Sequence, residues 1–487
     1  MRSNPIRRGV ARPIAGPHGT RFSTAIRPSL PGQTSVRPYK LDLLRLGIAA
    51  LIVLSLSRIH NHLGIGQLRP ALLLTGLCGA MAVFNPRLVN AEKLLHYWPA
   101  RVIVALGVVS CFSAAFGISL GASAVFILEN YIKVIIVTFL IISGIRHAKD
   151  LSTFVWACVA SCGILAYFAI FVFKVRVVGS GVARLNSLYT FDSNDVATIL
   201  MSGLPLTLLA YQTSRGGKKV LAGVTLLGIG ATMARSGSRG GFLALLAVGA
   251  LLLFWVPGVS AVKRILFVGT VAIGLVIAAP PGYWEQMRTL TSLEEDYNWD
   301  SYYGRRKLAE RGIGYMIRYP IFGVGIGNFP RADGTLSDRA QNFVERTGYA
   351  NRWRSVHNTY VQAGSEMGVP GLALFVSLII GGVVSMRRLR RRLPAAWARG
   401  DPDQRLIYYL SIYLPVSIVG FAVAAFFVAF AYLDPLYILM ALVVGVHISL
   451  SEMRRRGAPG APAPLYAGAT RRPVPRPRSV TSPVMHG

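Results

Sequence analysis

Acidic residues are scarce in this chain: Asp and Glu total 20 of 487 residues, and all charged residues together make up 15%. Soluble globular proteins carry about 25% charged residues, so the deficit excludes an ordinary water-soluble domain. Cysteine is also rare, and the cysteines stand inside apolar runs without Cys-x-x-Cys spacing. They are Cys78, Cys111, Cys158 and Cys162. Neither a disulfide framework nor a zinc site is therefore expected.

Apolar and basic residues are abundant instead. Hydrophobic residues make up 53% of the chain, and 52 Lys and Arg residues give a formal net charge of +32. The basic residues flank apolar runs and do not cover a polar surface, which argues against a nucleic-acid partner. Uncharged runs of roughly 17 residues or more can cross a ~30 Å hydrocarbon core as helices. The sequence therefore predicts an all-α polytopic protein of a lipid bilayer.

We predict about twelve transmembrane helices. Their approximate bounds are 41–57, 68–84, 99–117, 123–145, 151–173, 192–211, 218–234, 240–256, 262–279, 369–386, 406–430 and 432–450.

The predicted loops differ in their content of Lys and Arg, which collect in short cytoplasmic loops. This rule places both termini in the cytoplasm and one long loop outside. The predicted layout is a basic disordered tail at 1–40, spans one to nine at 41–279 and the external loop at 280–357. A histidine-motif helix with spans ten to twelve follows at 358–452, and a Pro/Arg-rich disordered tail at 453–487.

The long loop contains two recognisable elements. Residues Arg305 to Arg318 show the spacing of an amphipathic helix, which we expect to lie on the membrane surface. Its apolar side is formed by Leu308, Ile313, Met316 and Ile317. The run Gly323-Val-Gly-Ile-Gly327 follows a helix and not a strand, so it predicts a flexible turn and not a nucleotide site.

A histidine stands where the long loop meets the next span. The spacing of the following residues predicts one helical stripe, formed by His357, Tyr360, Gly364 and Gly368. Gly364 and Gly368 form a small-xxx-small seam for close helix contact, and Pro370 is expected to end this short helix. An imidazole can accept a proton from a hydroxyl near neutral pH. Two interpretations of His357 stay open, a general base and a hydrogen-bonding residue at the interface.

Arginines on the external side form a second group. Arg184, Arg239 and Arg305 lie where the positive-inside rule disfavours them, and a guanidinium grips phosphate oxygens with a planar fork of donors. An anionic lipid substrate would explain their position, and snorkelling to lipid headgroups is the alternative. Within span four, Glu129 and Lys133 have the i, i+4 spacing of an ion pair.

Four motifs now stand in a fixed order. They are Arg184-Leu-Asn-Ser-Leu-Tyr-Thr-Phe-Asp-Ser-Asn194, Ser236-Gly-Ser-Arg239-Gly-Gly, Gly304-Arg305 with Tyr319-Pro-Ile-Phe-Gly-Val-Gly-Ile-Gly-Asn-Phe329, and His357-Asn-Thr-Tyr360 with Glu366-Met-Gly-Val-Pro-Gly371. In this order and spacing, across roughly residues 180–385, the chain resembles the O-antigen ligase and polymerase superfamily of bacterial envelope glycan transferases.

This resemblance implies transfer of a glycan from an undecaprenyl pyrophosphate carrier to an acceptor hydroxyl, at the periplasmic face of the bacterial inner membrane. It implies inversion at the anomeric carbon, and neither a metal nor another cofactor. His357 would be the catalytic base, and Arg184, Arg239 and Arg305 would hold the pyrophosphate. The other substrate-binding candidates in these motifs are Asn194, Tyr360 and Glu366. The acceptor would be a glycan, the lipid A core or a protein.

Three alternatives stay open at this point. A repeat-unit polymerase of O-antigen or exopolysaccharide would share carrier, base and arginines with a ligase. A lipid-linked glycan transporter or flippase would suit many spans, but such proteins usually consist of two similar halves, and no such repeat is visible. A pure envelope scaffold would have no need of the external arginines.

Overall fold

The computed structural model describes residues 42–86, 91–178, 182–185, 191–255, 282–288, 304–347 and 354–462, with isolated positions at 89 and between 260 and 279. The predicted tail 1–40 lies outside these residues, and the predicted tail 453–487 is described only to residue 462, with its first residues in a helix that ends at Arg455. In the described part, eight helices are long and apolar enough to cross a membrane. Two shorter helices, Leu43–Ser57 and Arg239–Trp255, are also apolar. The chain is thus a helical protein with several membrane-crossing helices, as predicted.

The helices are α1 (Leu43–Ser57), α2 (Pro70–Phe84), α3 (Trp98–Phe116), α4 (Leu120–Gly144), α5 (Ala148–Val172), α6 (Ser193–Thr213), α7 (Gly216–Ser236), α8 (Arg239–Trp255), α9 (Tyr283–Arg288), α10 (Arg305–Arg318), α11 (Phe329–Thr335), α12 (Asp338–Thr347), α13 (Thr359–Arg392), α14 (Pro402–Ala424) and α15 (Asp434–Arg455). Shorter helical turns are Ile59–His62, Gly66–Leu68, Ala91–His96, Ala395–Arg399 and Ala425–Phe427. An antiparallel hairpin of β1 (Val175–Val178) and β2 (Val182–Leu185) stands before α6.

Each predicted span except the ninth has a helix at its position, and most of 262–279 lies outside the described residues. The number of twelve spans therefore stays a prediction. One boundary is shifted: the backbone is non-helical at Gly368, where φ is 70°, so the short helix after His357 ends there and not at Pro370, and a second helix continues within α13 to Arg392. Proline is tolerated there because the chain restarts as a helix at the kink, so Pro370 stands in the first turn of the second part.

A second boundary is wrong at the end of α14. The predicted span 406–430 is helical only to the turn Ala425–Phe427, and the link to α15 is not helical. Backbone groups of such a link need partners if it lies at membrane depth, and Thr359 and Gln362 of α13 provide them. The Gln362 carboxamide oxygen accepts from the Ala431 amide at 3.1 Å. Thr359 Oγ1 donates to the Val428 carbonyl at 2.8 Å and accepts from the Phe430 amide at 3.0 Å. We call residues 427–431, which are the last residue of that turn and the non-helical residues after it, the α14–α15 link.

A buried ion pair joins the first turn of α1 to the first turn of α5. The Arg45 guanidinium lies 2.9 Å from the Asp150 carboxylate, and neither side chain is exposed. Asp150 also accepts hydrogen bonds from the backbone amides of Arg146 and His147, both at 2.9 Å. The Asp150 carboxylate therefore pairs with a buried guanidinium and also accepts hydrogen bonds from two backbone amides at the start of α5.

We expect the substitution Asp150→Ala to destabilise the protein, because it removes one of the two carboxylates that pair with the buried Arg45 guanidinium and leaves only Asp42. Removing the partner of a buried pair costs about 3–5 kcal/mol, and the remaining Asp42 carboxylate should keep the loss below that range. The thermal unfolding midpoint of the purified protein in detergent measures the effect. Lys149→Ala, at the exposed neighbouring position, is the control and should change the midpoint little. An equal midpoint for both variants would show that the pair contributes nothing.

Candidate functional site

Two of the sequence motifs meet through one side-chain hydrogen bond. Asp192 caps α6 by accepting from the Asn194 amide at 2.7 Å. The Asn194 carboxamide oxygen in turn accepts from the Ser238 hydroxyl at 2.8 Å, with both residues buried. The Ser238 oxygen accepts from the Gly241 amide at 3.0 Å, which caps the start of α8. Asn194 therefore fixes the first turn of α8, the turn that begins with Arg239, against the first turn of α6.

The helix starts that carry the arginines of the second and third motifs both approach one aromatic ring. Arg239 and Arg305 are each the first residue of a helix, α8 and α10, and both are partly buried. A Cβ atom on Gly240 would lie 2.4 Å from the Phe427 ring, so α8 contacts this ring directly. The Arg305 guanidinium carbon lies 5.8 Å from the centroid of the same ring. The Phe427 ring thus contacts the first turn of α8, at the residue after Arg239, and lies below the Arg305 guanidinium of α10.

His357 lies next to the same region. It is exposed and has a φ of 48°, a left-handed conformation that is uncommon outside glycine. The following residue, Asn358, caps α13 by accepting from the Tyr360 amide at 3.0 Å and the Val361 amide at 3.1 Å. Thr359 then bonds Val428 in the α14–α15 link. His357 therefore stands two residues before Thr359, which bonds the link that also contains Phe427.

The predicted helical stripe through His357 is wrong. Helix α13 begins at Thr359, because the Asn358 side chain takes the capping position, and His357 stands outside the helix. The seam of Gly364 and Gly368 does pack closely. A Cβ on Gly364 would meet Met316 of α10 at 2.5 Å, and one on Gly368 would meet the Ile321 carbonyl at the same distance.

Tyr360 holds α13 against α14. Its hydroxyl donates to the Ala422 carbonyl at 2.7 Å, and its ring centroid lies 4.5 Å from that of Phe426. These contacts position the first turn of α13. A substrate contact by Tyr360 stays a prediction.

Glu366 is buried and holds the glycine-rich turn. Its two carboxylate oxygens accept from the backbone amides of Gly327 and Phe329, both at 3.0 Å. Its backbone carbonyl accepts from the Gly325 amide at 3.1 Å. These contacts give Glu366 a positioning role, and its substrate-binding role stays a prediction.

The turn at 323–327 is not the loose connection that its glycines indicate. Gly323, Gly325 and Gly327 have φ values of 69°, 102° and 74°, which favour glycine, and the turn is largely buried. A Cβ on Gly323 would lie 2.4 Å from the Glu366 carbonyl group. The expectation of flexibility is wrong because these glycines permit close backbone packing against α13. The turn therefore fixes α10 relative to α13.

Helix α10 has the predicted bounds, Arg305–Arg318. Its buried face is Leu308, Gly312 and Tyr315, while Ile313 and Ile317 are exposed. Tyr315 packs edge-on against Phe329, with ring centroids 6.0 Å apart. The buried face thus shares only Leu308 with the predicted apolar side, and placement of that apolar side on the membrane surface stays a prediction.

Arg184 lies in strand β2, with its backbone opposite Arg176 of β1. The hairpin packs against α7, the helix that precedes the Arg239 motif. The Arg184 side chain lies outside the described residues, so its proximity to Arg239 stays a prediction.

The sequence analysis missed three residues that assemble this region: Ser238, Thr359 and Phe427. Ser238 and Thr359 stand inside the motifs, but their roles need partners that are distant in sequence. The sequence does contain a signal for the end of the link around Phe427. Asp434 and Pro435 mark a helix start, and aromatic residues precede them in Phe-Phe-Val-Ala-Phe-Ala-Tyr432.

In the part of the chain that the structure describes, no group of three His, Cys, Asp or Glu residues is placed to hold a metal ion.

No curated protein matches the chain. Residues 222–376 match the family model described as O-antigen ligase, a segment that includes Arg239, Arg305 and His357. Taken with the apolar helices, this match supports a multi-pass membrane enzyme of the glycan-transferring ligase type. Over residues 222–376, the chain is similar to the O-antigen ligase superfamily, as its motifs predict.

Proposed function

We propose that this protein transfers a glycan from undecaprenyl pyrophosphate to an acceptor hydroxyl, with inversion at the anomeric carbon. One observation carries the proposal: the first turns of α8, α10 and α13 meet at the α14–α15 link. Arg239 and Arg305 are the first residues of α8 and α10, and His357 stands two residues before the start of α13. The proximity of these three helix starts supports a shared site for pyrophosphate binding and proton transfer.

The pyrophosphate would lie at Arg239 and Arg305. Charge develops on the leaving group as the bond from the anomeric carbon to the phosphate oxygen breaks. Fixed guanidinium groups stabilise that charge. The N-termini of α8 and α10 add partial positive charge. Because pyrophosphate is already a good leaving group, charge stabilisation is the main demand on this part of the site.

His357 would accept the proton of the acceptor hydroxyl. The acceptor oxygen attacks the anomeric carbon from the side opposite the pyrophosphate, and its proton passes to the imidazole. The bond to the phosphate oxygen breaks with its electron pair, which leaves undecaprenyl pyrophosphate. The proton then passes from His357 to solvent. Backside displacement by one nucleophile inverts the anomeric centre.

We propose that this region faces the periplasm, with both termini in the cytoplasm. In whole spheroplasts, Thr335→Cys should react with a membrane-impermeant thiol reagent, and Ala395→Cys should not. Both positions are exposed in the structure, whereas the neighbouring Ser337 is buried and would report poorly. Mass spectrometry of the modified peptides separates these sites from the native cysteines. The reverse labelling pattern would contradict the orientation.

A ligase, a repeat-unit polymerase and a protein glycan transferase differ in their acceptor. We favour transfer of a finished chain, as in an O-antigen ligase, and expect a deletion strain to accumulate long glycan chains on the lipid carrier. Separation of the strain's glycans by length measures this. Single repeat units on the envelope acceptor would instead indicate a polymerase, and an unchanged glycan profile with one lost glycoprotein would indicate protein transfer.

A further inference from the structure

A cavity of about 320 Å³ opens between α1, α2, α4 and the start of α15. This volume is at the lower end of the range for small-molecule sites, which suits one ring better than an extended chain. Its apolar wall includes Leu54, Val134 and Leu433, and its polar wall carries charged, amide and hydroxyl groups. None of the motif residues of the proposed transfer site lines it.

The shape of α4 creates the polar wall. The segment Ile127–Tyr131 forms a π-helical turn within α4, which inserts extra backbone and rotates the residues that follow. Glu129 and Lys133 therefore do not form the ion pair that their spacing predicts, since no such pair occurs among the described residues. Both side chains line the cavity instead. Turns of this kind occur frequently at functional sites.

The charges around the cavity balance. Arg58 and Lys133 face the carboxylates of Glu129 and Asp434. His60 also lines the cavity, and burial together with the nearby Arg58 charge lowers its pKa, which favours the neutral imidazole. An anionic ligand would be repelled by the two carboxylates, and a cationic ligand would be repelled by the two basic side chains. An uncharged ligand with many hydroxyl groups can use both kinds of partner.

The lining groups match such a ligand. Asn61 and Asn130 offer amide donors and acceptors, and Ser55 and Thr75 offer hydroxyls. Tyr432 adds an aromatic ring, and aromatic faces suit the C–H faces of sugar rings.

The cavity lies close to the proposed transfer site. The Arg58 guanidinium carbon lies 4.1 Å from the centroid of the Phe191 ring, which is next to the Asp192 cap of α6. The Phe191 and Phe430 ring centroids are 6.5 Å apart, and the Phe430 amide bonds Thr359 at 3.0 Å. One layer of aromatic side chains therefore separates the cavity from the start of α13.

We propose that this cavity binds an uncharged sugar ring of the glycan substrate and positions it for transfer. The inference rests on the proposed glycan transfer and adds a second binding site to it. The bound ring belongs either to the acceptor or to the donor glycan, which offer the same hydroxyl chemistry.

Protection of a cysteine tests binding without the need for turnover. Ser55→Cys is nearly isosteric and lies in the cavity, whereas Gln67→Cys is exposed at the same end outside it. The probe is the repeat-unit oligosaccharide released from the host's own envelope glycan by mild acid. We expect it to slow modification of Ser55→Cys by a small maleimide at least about fivefold, and to leave Gln67→Cys unchanged. The same protection should occur in the inactive His357→Gln background.

Kinetics of Glu129→Gln and Lys133→Met identify the source of the ring. We expect one KM to rise about tenfold with kcat changed less than about twofold, because neither residue touches the reacting atoms. A rise in the acceptor KM assigns the ring to the acceptor, and a rise in the donor KM assigns it to the donor. Matched substitutions outside the cavity, Lys149→Met and Glu452→Gln, should leave both constants unchanged.

The absence of protection by the oligosaccharide, with both KM values unaltered, would overturn the inference. Protection by glycerophosphoethanolamine and not by the oligosaccharide would overturn it as well, because the cavity would then hold a zwitterionic lipid headgroup. Protection by the oligosaccharide in a protein without transfer activity would keep the sugar site and remove the proposed transfer. The two proposals can therefore fail separately.

Discussion

The substitution His357→Gln should lower the rate of glycan transfer by about 10² to 10⁴, the usual contribution of a positioned general base. Glutamine keeps a hydrogen-bonding group of similar length but cannot accept the acceptor proton. His357→Ala should be similarly inactive. Binding of the lipid-linked donor should change little in both variants, because it depends on the arginines. Turnover and donor binding by the purified protein in detergent measure the two effects separately.

The pH dependence distinguishes a base from a positioning residue. The wild-type rate should fall in acid as the imidazole is protonated, and the His357→Gln variant should lose that dependence. His62→Gln is the matched control, because His62 lies outside the four motifs and packs on Phe168, with ring centroids 4.4 Å apart. This variant should keep the wild-type pH dependence. Transfer by His357→Gln at close to the wild-type rate would limit His357 to holding the acceptor.

The substitutions Arg239→Ala and Arg305→Ala should each lower the transfer rate by about 10² or more, the cost of losing one group that stabilises developing charge. Both should also weaken binding of the lipid pyrophosphate. Lysine should restore little at either position, since it lacks the planar fork of donors. The chain carries a matched control one residue away. Arg306 is exposed and pairs with Glu310 at 2.9 Å, so Arg306→Ala should retain near-normal turnover.

The two arginines should also act together. If both contact one pyrophosphate, the double variant should lose less than the product of the two single losses, because groups that act as a unit are not additive. Near-normal turnover of both alanine variants, at wild-type protein levels in the membrane, would contradict the assignment. Strictly multiplicative losses would place the two arginines at separate sites.

Local elements could be predicted from the sequence where a helical spacing of apolar residues or a long apolar run dominates a segment. Helix α10 has the bounds that its spacing indicates, and the spans agree with helices because long apolar runs have few alternatives in a bilayer. The buried face of α10 was harder to predict. Its selection depends on contacts of Tyr315 and Gly312 with Phe329 and α13, which no local pattern specifies.

The assembly of the site depends on contacts between distant residues. The link after Phe427 becomes non-helical because Thr359, far away in the sequence, supplies its hydrogen bonds. Likewise, the glycine-rich turn is fixed by Glu366 from another helix. The error at His357 was avoidable, since Asn358 is among the best N-cap residues and marks a helix start after the histidine.

Simultaneous measurement of product and released carrier tests the central claim most directly. Purified protein in nanodiscs is supplied with undecaprenyl-pyrophosphate-linked glycan and an acceptor, and both glycosylated acceptor and free undecaprenyl pyrophosphate are quantified over time. We predict that the two appear in equal amounts, that the new linkage has the inverted anomeric configuration, and that His357→Gln abolishes both. Passage of intact lipid-linked glycan across the bilayer, with no carrier released, would contradict the account and indicate a transporter.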